Sequence, residues 1–309
     1  MPSYKLLTYQ SPKGPRAGLM VGDKVFDAAA ATGKAAYGTV FEILNDWRSA
    51  QKLLRAAAAK IVTGKGKRAR ALPKPKLLAP VLSPSALYCA GANYADHMAE
   101  MAAVQGIAPE PDPHTLGLKA WHFIKATRSI VPSQTKVKLP AYSQKVDWEA
   151  ELTAVIGRPA KDVPLEKALD YVAGYTIAND LSARDFVKRP NVSDTSPFRF
   201  DWVSQKCFDG ACPLGPWIVP AAEIRDPQKL GIKLWVNDVL KQDSHTSKMI
   251  FTLAEQIAHL SSRMTLHPGD LILTGTPAGV GMGRGEFLKP GDVVKVWIED
   301  VGTLTNTMA

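Results

Sequence analysis

Short apolar runs separated by glycine and proline dominate the chain, and this pattern predicts strands more often than helices. In the N-terminal part the pattern predicts a strand over residues 4–9 and a hairpin around 21–24. Two helices follow, over 40–47 and 50–61. We therefore predict a small α+β domain over residues 1–78.

Beyond residue 78 the chain is mainly β. One segment differs, because Ile250, Leu253, Ile257 and Leu260 are spaced as the buried face of a helix. We predict one larger domain over residues 79–309, so that the fold class is α+β and mainly β. Its predicted strands cover residues 86–90, 146–156, 171–178, 217–219, 232–236, 271–273 and 293–298.

Much of the net charge of +9 falls in one basic stretch punctuated by glycine and proline. The stretch has no aromatic residue on which a base would stack, so we interpret it as a solvated linker. Nucleic-acid binding through it is the alternative, and strongly salt-dependent retention on DNA or RNA would reveal it. The basic residues are Lys60, Lys65, Lys67, Arg68, Arg70, Lys74 and Lys76.

The remaining composition predicts a cytoplasmic protein that does not cross a membrane. No apolar run reaches about 18 residues, and the N-terminus lacks the order of a signal peptide. The three cysteines, Cys89, Cys207 and Cys212, form no Cys-x-x-Cys pair. We therefore expect free thiols.

Carboxylates alternate with apolar residues over 146–154. In an extended strand Asp147, Glu149 and Glu151 lie on one face, with Thr153. One interpretation is the solvated face of an antiparallel strand. The other is a cation site, because three neighbouring carboxylates repel one another unless a cation neutralises them.

A further acid favours the cation site. Asp180 follows the apolar run 171–178 directly, where a buried strand would end. Glu149, Glu151 and Asp180 together would be an all-oxygen set suited to Mg²⁺, with Mn²⁺ or Ca²⁺ possible. Zinc is not favoured, because no cysteine and no pair of histidines lies nearby in the sequence.

Three other features point to chemistry. His97 and Glu100 are three residues apart, so on a helix the carboxylate can orient the imidazole as a general base; a surface pair is the alternative. Lys206 is a lone cation in an apolar stretch, and near the acids it would stabilise an oxyanion. The glycine-rich run 273–283 can bring backbone amides close to a carboxylate.

In this order, the segments resemble the fumarylacetoacetate hydrolase family from about residue 85 to residue 306. The resemblance rests on five segments, none of them specific alone. They are the turn and helix at 91–100, the strand Asp147-Trp148-Glu149-Ala150-Glu151-Leu152, Asn179-Asp180-Leu181-Ser182-Ala183-Arg184-Asp185, Lys206 with Pro213-Leu214-Gly215-Pro216, and Thr274-Gly275-Thr276-Pro277.

The resemblance implies a catalytic domain of mixed sheets rolled around the site, a smaller N-terminal domain, and a homodimer or larger assembly. It also implies roles for individual residues. Those residues are Glu149, Glu151 and Asp180 as metal ligands, His97 and Glu100 as an acid–base pair on a mobile lid, Lys206 as a cation beside the metal, Tyr94, Arg184, Gly275 and Thr276 as substrate contacts, and Asp147 as a residue that orients the ligands.

By the same resemblance, the substrate is a small oxo acid, and we predict carbon–carbon bond hydrolysis of an acylpyruvate or β-diketo acid. Decarboxylation, isomerisation or hydration of a hydroxymuconate- or oxaloacetate-type acid is the alternative, and a non-catalytic metal- or ligand-binding protein is the alternative outside enzymes. The chain departs from its close relatives at Val187, where glutamine is frequent, and over residues 188–202, which look longer. Both departures concern the substrate and leave the metal ligands intact.

Overall fold

A computed structural model describes residues 3–65 and 69–309. Lys67 and Arg68 of the basic stretch lie outside these ranges. No helix in the described ranges is long and apolar enough to cross a membrane. The helices are α1 (Ala28–Thr32), α2 (Val40–Asn45), α3 (Trp47–Val62), α4 (Ala95–Gln105), α5 (Trp202–Lys206), α6 (Leu253–Arg263) and α7 (Gly281–Arg284).

An 11-stranded mixed sheet forms the centre of the molecule. Its strands run in the order β3-β2-β1-β13-β11-β10-β16-β5-β6, with β4 beside β1 and β7 beside β13. They are β1 (Lys5–Ser11), β2 (Gly14–Val21), β3 (Lys24–Asp27), β4 (Leu77–Leu78), β5 (Leu87–Ala90), β6 (His122–Ile124), β7 (Ile130–Pro132), β10 (Ala150–Ile156), β11 (Val172–Asn179), β13 (Cys212–Pro220) and β16 (Leu271–Leu273).

A second sheet has five strands in the order β15-β14-β17-β18-β8 and covers one face of the first. A further pair joins β9 to β12. The mixed sheets, with more strand than helix, confirm the predicted class. These strands are β8 (Lys136–Val137), β9 (Val146–Asp147), β12 (Ser182–Ala183), β14 (Gly231–Val236), β15 (Val239–His245), β17 (Val293–Ile298) and β18 (Gly302–Met308).

The two sheets differ in how deeply their strands are buried. Every residue of β10 and β11 is buried, because one apolar cluster covers each face of the central sheet. Strands covered on both faces read as continuous apolar runs, and this is how the run 171–178 reads. In β14 and β17 buried positions alternate with more exposed ones, so the five-stranded sheet has one face toward solvent.

The N-terminal strands belong to the central sheet. β1 pairs antiparallel with β13, and the cluster beneath it combines residues from both sides of residue 78. The sheet is thus continuous across the predicted boundary, and the division into domains 1–78 and 79–309 stays a prediction. Helix α6 confirms the predicted apolar stripe from Leu253 onward, but Ile250 precedes the helix.

Candidate metal centre

Three carboxylates meet where β10 begins and β11 ends. Ala150 pairs with Asn179, so Glu149 and Glu151 flank the end of β11 and Asp180 follows it directly. One oxygen from each carboxylate lies within 4.8 Å of the others. Glu149 is 6%, Glu151 1% and Asp180 0% exposed, so the interpretation of a solvated face was wrong.

Three cations surround the carboxylates. The Lys206 ammonium donates to Glu149 Oε2 (2.9 Å) and to Asp180 Oδ2 (2.8 Å), so it joins the two strands. Lys125 Nζ donates to Asp180 Oδ1 and to the Leu181 carbonyl. The Arg184 guanidinium donates to the other oxygen of Glu149, Oε1, at 2.6 Å. Glu149 and Asp180 therefore each have buried partners of opposite sign, as buried charges require.

Glu149 and Glu151 differ in their pKa. Burial raises the pKa of Glu149, but the charges of Lys206 and Arg184 outweigh burial and hold it below its usual range. Burial, together with the charges of Asp180 and Glu149, raises the pKa of Glu151 well above its usual range. The ion pairs of the cluster involve Glu149 and Asp180 but not Glu151.

These residues fit a divalent cation. The three carboxylates supply oxygen, which is the donor that hard divalent ions prefer. Among the residues that the structure describes, Glu151 has one hydrogen-bond donor, the Gly275 amide to Oε2 (2.7 Å), and no cationic partner. A bound cation would supply the positive charge that this third carboxylate lacks and so favour its ionised form.

The acid–base candidates lie on α4, as predicted. His97 Nδ1 is 3.6 Å from Glu100 Oε2, which is an ion-pair distance and longer than a hydrogen bond. Both oxygens of Glu100 accept from the Gly279 amide at 3.0 Å. Burial raises the pKa of Glu100, but His97 and Gly279 outweigh burial and lower it. A charge on His97 also lowers the pKa of Glu149, so α4 lies within electrostatic reach of the carboxylates.

Asp147 does not join the carboxylate group. The predicted alternation breaks at Trp148 and Glu149, which lie between β9 and β10. Asp147 instead accepts from Arg184 Nε (2.8 Å) and from the amides of Gly281 (2.6 Å) and Met282 (3.0 Å) at the start of α7. The prediction of one continuous strand over 146–156 was therefore wrong, and Arg184 links Asp147 to Glu149 across the break.

The other predicted substrate contacts lie around Glu151. Gly275 donates its amide to Glu151, and its φ of 95° is one that glycine adopts most readily. Thr276 follows it and accepts from the Gln242 side chain. Tyr94 is fully buried, and within the described ranges its hydroxyl has no hydrogen-bond partner. The roles assigned to these residues and to the metal and acid–base candidates stay predictions.

The sequence interpretation missed three residues. Lys125 pairs with Asp180, and a lone lysine directly after a strand was a signal of the kind that singled out Lys206. The Phe123 ring lies 4.9 Å from Lys206 Nζ, close enough for a cation–π contact. Gln242 lies in β15, a strand the pattern did not predict, so no signal in the sequence identified it.

Comparison with known proteins decides the family. Residues 86–309 match the model of the fumarylacetoacetate hydrolase C-terminal domain. The mitochondrial oxaloacetate tautomerase fahd2 of Xenopus laevis is 42% identical over 232 residues, which are 74% of this chain and 67% of that protein. The chain belongs to the fumarylacetoacetate hydrolase family.

Solved structures of family members extend the similarity to the whole chain. Fumarylacetoacetate hydrolase from Exiguobacterium antarcticum has a TM-score of 0.76 and 31% identity, with 99% of each chain covered. Maleylpyruvate hydrolase from Sphingobium sp. SYK-6, in complex with manganese(II) and pyruvate, has a TM-score of 0.73 and 29% identity, with 99% of this chain and 98% of that one covered. The manganese complex and the buried carboxylates support a divalent-metal site in this chain.

Proposed function

We propose that this chain is a divalent-metal-dependent oxo-acid tautomerase, which interconverts the keto and enol forms of an oxaloacetate-type acid. The observation that carries the proposal is that the candidate metal ligands and the candidate acid–base pair lie on separate elements of the fold. Three carboxylates with surrounding cations lie at the ends of buried strands, whereas a histidine–glutamate pair lies on a separate element, α4. The 42% identity to an oxaloacetate tautomerase favours this reaction among those of the family.

Glu149, Glu151 and Asp180 would hold the metal ion, and we propose Mg²⁺. A bound divalent ion would stabilise negative charge on the substrate oxygens. Lys206 and Arg184 already carry positive charge at the same place and are buried or nearly so. These cations would attract a small dianion and help to neutralise the charge that develops on its 2-oxo oxygen.

His97 would move the proton. Tautomerisation takes one proton from C3 and adds one proton to the oxygen on C2, so it consumes no water and breaks no carbon–carbon bond. The imidazole can hold the proton between these two positions. Glu100 is 3.6 Å away and its lowered pKa keeps it ionised, so it would stabilise the imidazolium.

Hydrolysis of an acylpyruvate is the second candidate, as the sequence predicted. The relative that is named a maleylpyruvate hydrolase supports it. In this reaction His97 would take a proton from water, the hydroxide would add to the distal carbonyl, and the bond between C3 and that carbonyl would break. The products would be pyruvate and a carboxylic acid. The fold and the cation site would serve either reaction.

The two candidates can be separated with purified protein and Mg²⁺. The enol absorbance of oxaloacetate and the formation of pyruvate are followed together, and an acylpyruvate is assayed in parallel. Tautomerisation accelerates loss of the enol without forming pyruvate. Pyruvate from oxaloacetate would instead indicate decarboxylation, and pyruvate from the acylpyruvate would indicate hydrolysis. No acceleration of any of these by the parent protein, with Glu149→Gln as background, would overturn the proposal.

We further propose a homodimer that resides in the cytoplasm and binds no nucleic acid. Sedimentation of the protein measures its mass against the 33.4 kDa of one chain. Retention on DNA at low salt tests the basic stretch, because phosphate binding by lysine and arginine weakens steeply as salt rises.

A further inference from the structure

Gln242 is a buried amide in a strand whose other residues are exposed or partly exposed. It is 0% exposed, and it is the one residue of β15 that is buried. β15 forms the edge of the five-stranded sheet, far along the chain from the carboxylates. A buried amide must find partners for its oxygen and its two N–H groups, and those partners show what it connects.

The partners of Gln242 are the strand that carries the metal ligands and the loop that carries Thr276. Its Oε1 accepts from the amide of Ala150 (3.0 Å), the residue between Glu149 and Glu151. Its Nε2 donates to Thr276 Oγ1 (2.9 Å) and to the Pro277 carbonyl (2.8 Å). One side chain therefore fixes the distance between these two parts of the site.

These partners also determine which way the amide points. An N–H group of Ala150 can only donate, so it must face Oε1. The Pro277 carbonyl can only accept, so it must face Nε2. Reversing the amide would place donor against donor and acceptor against acceptor. Gln242 therefore donates to the Thr276 hydroxyl, and Thr276 is the acceptor in this bond.

The hydroxyl hydrogen of Thr276 is consequently free for another acceptor. Within residues 3–65 and 69–309, the hydrogen bonds of Thr276 Oγ1 comprise only the one that it accepts from Gln242. Thr276 is 5% exposed and follows Gly275, whose amide binds Glu151. The free hydrogen thus lies beside the carboxylates, where an anionic substrate would accept it.

We infer that Gln242 is a positioning residue that makes the Thr276 hydroxyl a hydrogen-bond donor to the substrate, an inference that rests on the proposed function. A hydroxyl that accepts from a fixed amide keeps its own hydrogen turned away from that amide. Gln242 also holds Ala150, so the donor keeps its place relative to Glu149 and Glu151. The substrate group it would meet is a carboxylate or the 2-oxo oxygen of the acid.

Oxalate is a suitable probe, because it is a small dianion with no carbon that can react. Its affinity for Mg²⁺-saturated protein is measured by calorimetry in the parent, Thr276→Val, Gln242→Met and the double variant, with Thr276→Ser as the matched control. A hydrogen bond to a charged acceptor predicts roughly 10- to 100-fold weaker binding in Thr276→Val. Thr276→Ser keeps the hydroxyl and should bind as the parent does.

The double variant separates positioning from a structural role. If Gln242 acts through Thr276, Gln242→Met weakens oxalate binding in the parent, roughly up to tenfold, but not in Thr276→Val. An equal loss in both backgrounds, or no loss in Thr276→Val itself, would overturn the inference. Absence of oxalate binding by the parent would contradict the inference and the proposed function together. Oxalate binding without turnover of any oxo acid would contradict the proposed function alone.

A second measurement decides the question if Gln242→Met does not fold or loses Mg²⁺. In parent protein labelled with ¹⁵N-glutamine, the side-chain amide resonances of Gln242 should shift when oxalate binds. In Thr276→Val the same addition should leave them unchanged. Equal shifts in both proteins, or no shift in the parent, would show that Gln242 does not act through Thr276.

Discussion

The carboxylate cluster and helix α4 are held in different ways. The carboxylates lie on β10 and beside β11, strands in which every residue is buried. In α4 only Ala102 is buried. Its polar contacts with other segments include those of Glu100 with Gly279 and of Asp96 with Ser244 (2.6 Å), Lys248 (3.2 Å) and the Ala278 amide (3.3 Å).

This difference indicates a division between a rigid and a movable part of the site. Segments with few buried apolar contacts open at a lower free energy than the core does. We therefore propose that the cluster is prearranged for a cation, and we predict that α4 and the loop after it open to admit a substrate and close over it. Changes on the two sides should have separable effects, and the following predictions test that separation.

The largest effect is expected at the cluster. Asp180→Asn removes a carboxylate that pairs with both Lys125 and Lys206, which are 1% and 4% exposed. Loss of a partner from a buried ion pair costs about 3–5 kcal/mol. We expect metal binding and activity to disappear together, with a lower free energy of unfolding. Calorimetric titration with Mn²⁺ and urea denaturation measure both.

The exposed Asp170 provides the matched control for Asp180. Asp170→Asn makes the same chemical change on the surface, where an ion pair at 3.9 Å contributes little. It should bind metal and unfold as the parent does. Undiminished metal binding by Asp180→Asn would remove Asp180 from the set of ligands.

His97→Ala should separate the two sides of the site. Removing a general acid or base typically lowers a rate by about 100- to 10,000-fold. The proposed metal ligands lie on or beside β10 and β11 and not on α4. We therefore expect Mn²⁺ affinity and oxalate affinity to change little. The measurement compares turnover, Mn²⁺ titration and oxalate titration in the same preparation. Turnover near the parent rate would show that His97 is not the proton carrier.

The sequence predicted the cluster better than it predicted α4. Glu149, Glu151 and Asp180 stand beside runs whose periodicity identifies strands, and strand ends fix the positions of neighbouring side chains. The relation of His97 to Glu100 also follows from helical spacing. The position of α4 does not, because it depends on contacts with residues far along the chain, such as that of Glu100 with Gly279, 179 positions away.

Two further features needed the structure for the same reason. The break between β9 and β10 separates Asp147 from Glu149, although the alternation continues through it in the sequence. Gln242 lies in a strand of mixed polarity. Its side chain is held in a buried position by hydrogen bonds with Ala150 and Thr276. Local pattern carries no information about such pairings, since partners on distant strands decide them.

A smaller effect is expected from Gly283→Ala. A Cβ at residue 283 would lie 2.7 Å from Glu100 Cδ, so it would displace that carboxylate from His97 and Gly279. The displaced group is the end of a flexible side chain, so the fold should tolerate the change. Loss of one charged contact predicts a decrease in turnover of about tenfold, with metal affinity unchanged.

Glu100→Gln is the companion variant to Gly283→Ala, because it removes the charge and keeps the shape. If Gly283→Ala acts by displacing Glu100, its effect on turnover should vanish in the Glu100→Gln background. Steady-state rates of the parent, both single variants and the double variant measure this. Additive losses would show that residue 283 acts elsewhere.

The loop after α4 carries a contact that depends on pH. His114 Nδ1 is 2.9 Å from Asp112 Oδ1, and His114 Nε2 is 2.9 Å from Glu255 Oε1 on α6. Its ring centroid lies 4.6 Å from that of Phe251. Glu255 and Asp112 raise the pKa of His114 above 6.5, because both carboxylates favour the imidazolium. This contact ties the loop to the main body of the protein.

The smallest effect is expected when this contact is titrated. A group whose pKa is raised on folding contributes its full stability below its unfolded value, here 6.5, and loses it as pH rises through the higher folded value. Amide protection factors of residues 107–119 should therefore decrease from pH 6 to pH 9, by a few-fold because the contact is exposed. Those of β10 and β11 should not change.

His114→Gln cannot become charged, so its loop should show the low protection of the parent at high pH throughout. Equal pH dependence in parent and variant would place the titrating group elsewhere, and loss of protection in β10 as well would contradict the separation of a rigid from a movable part.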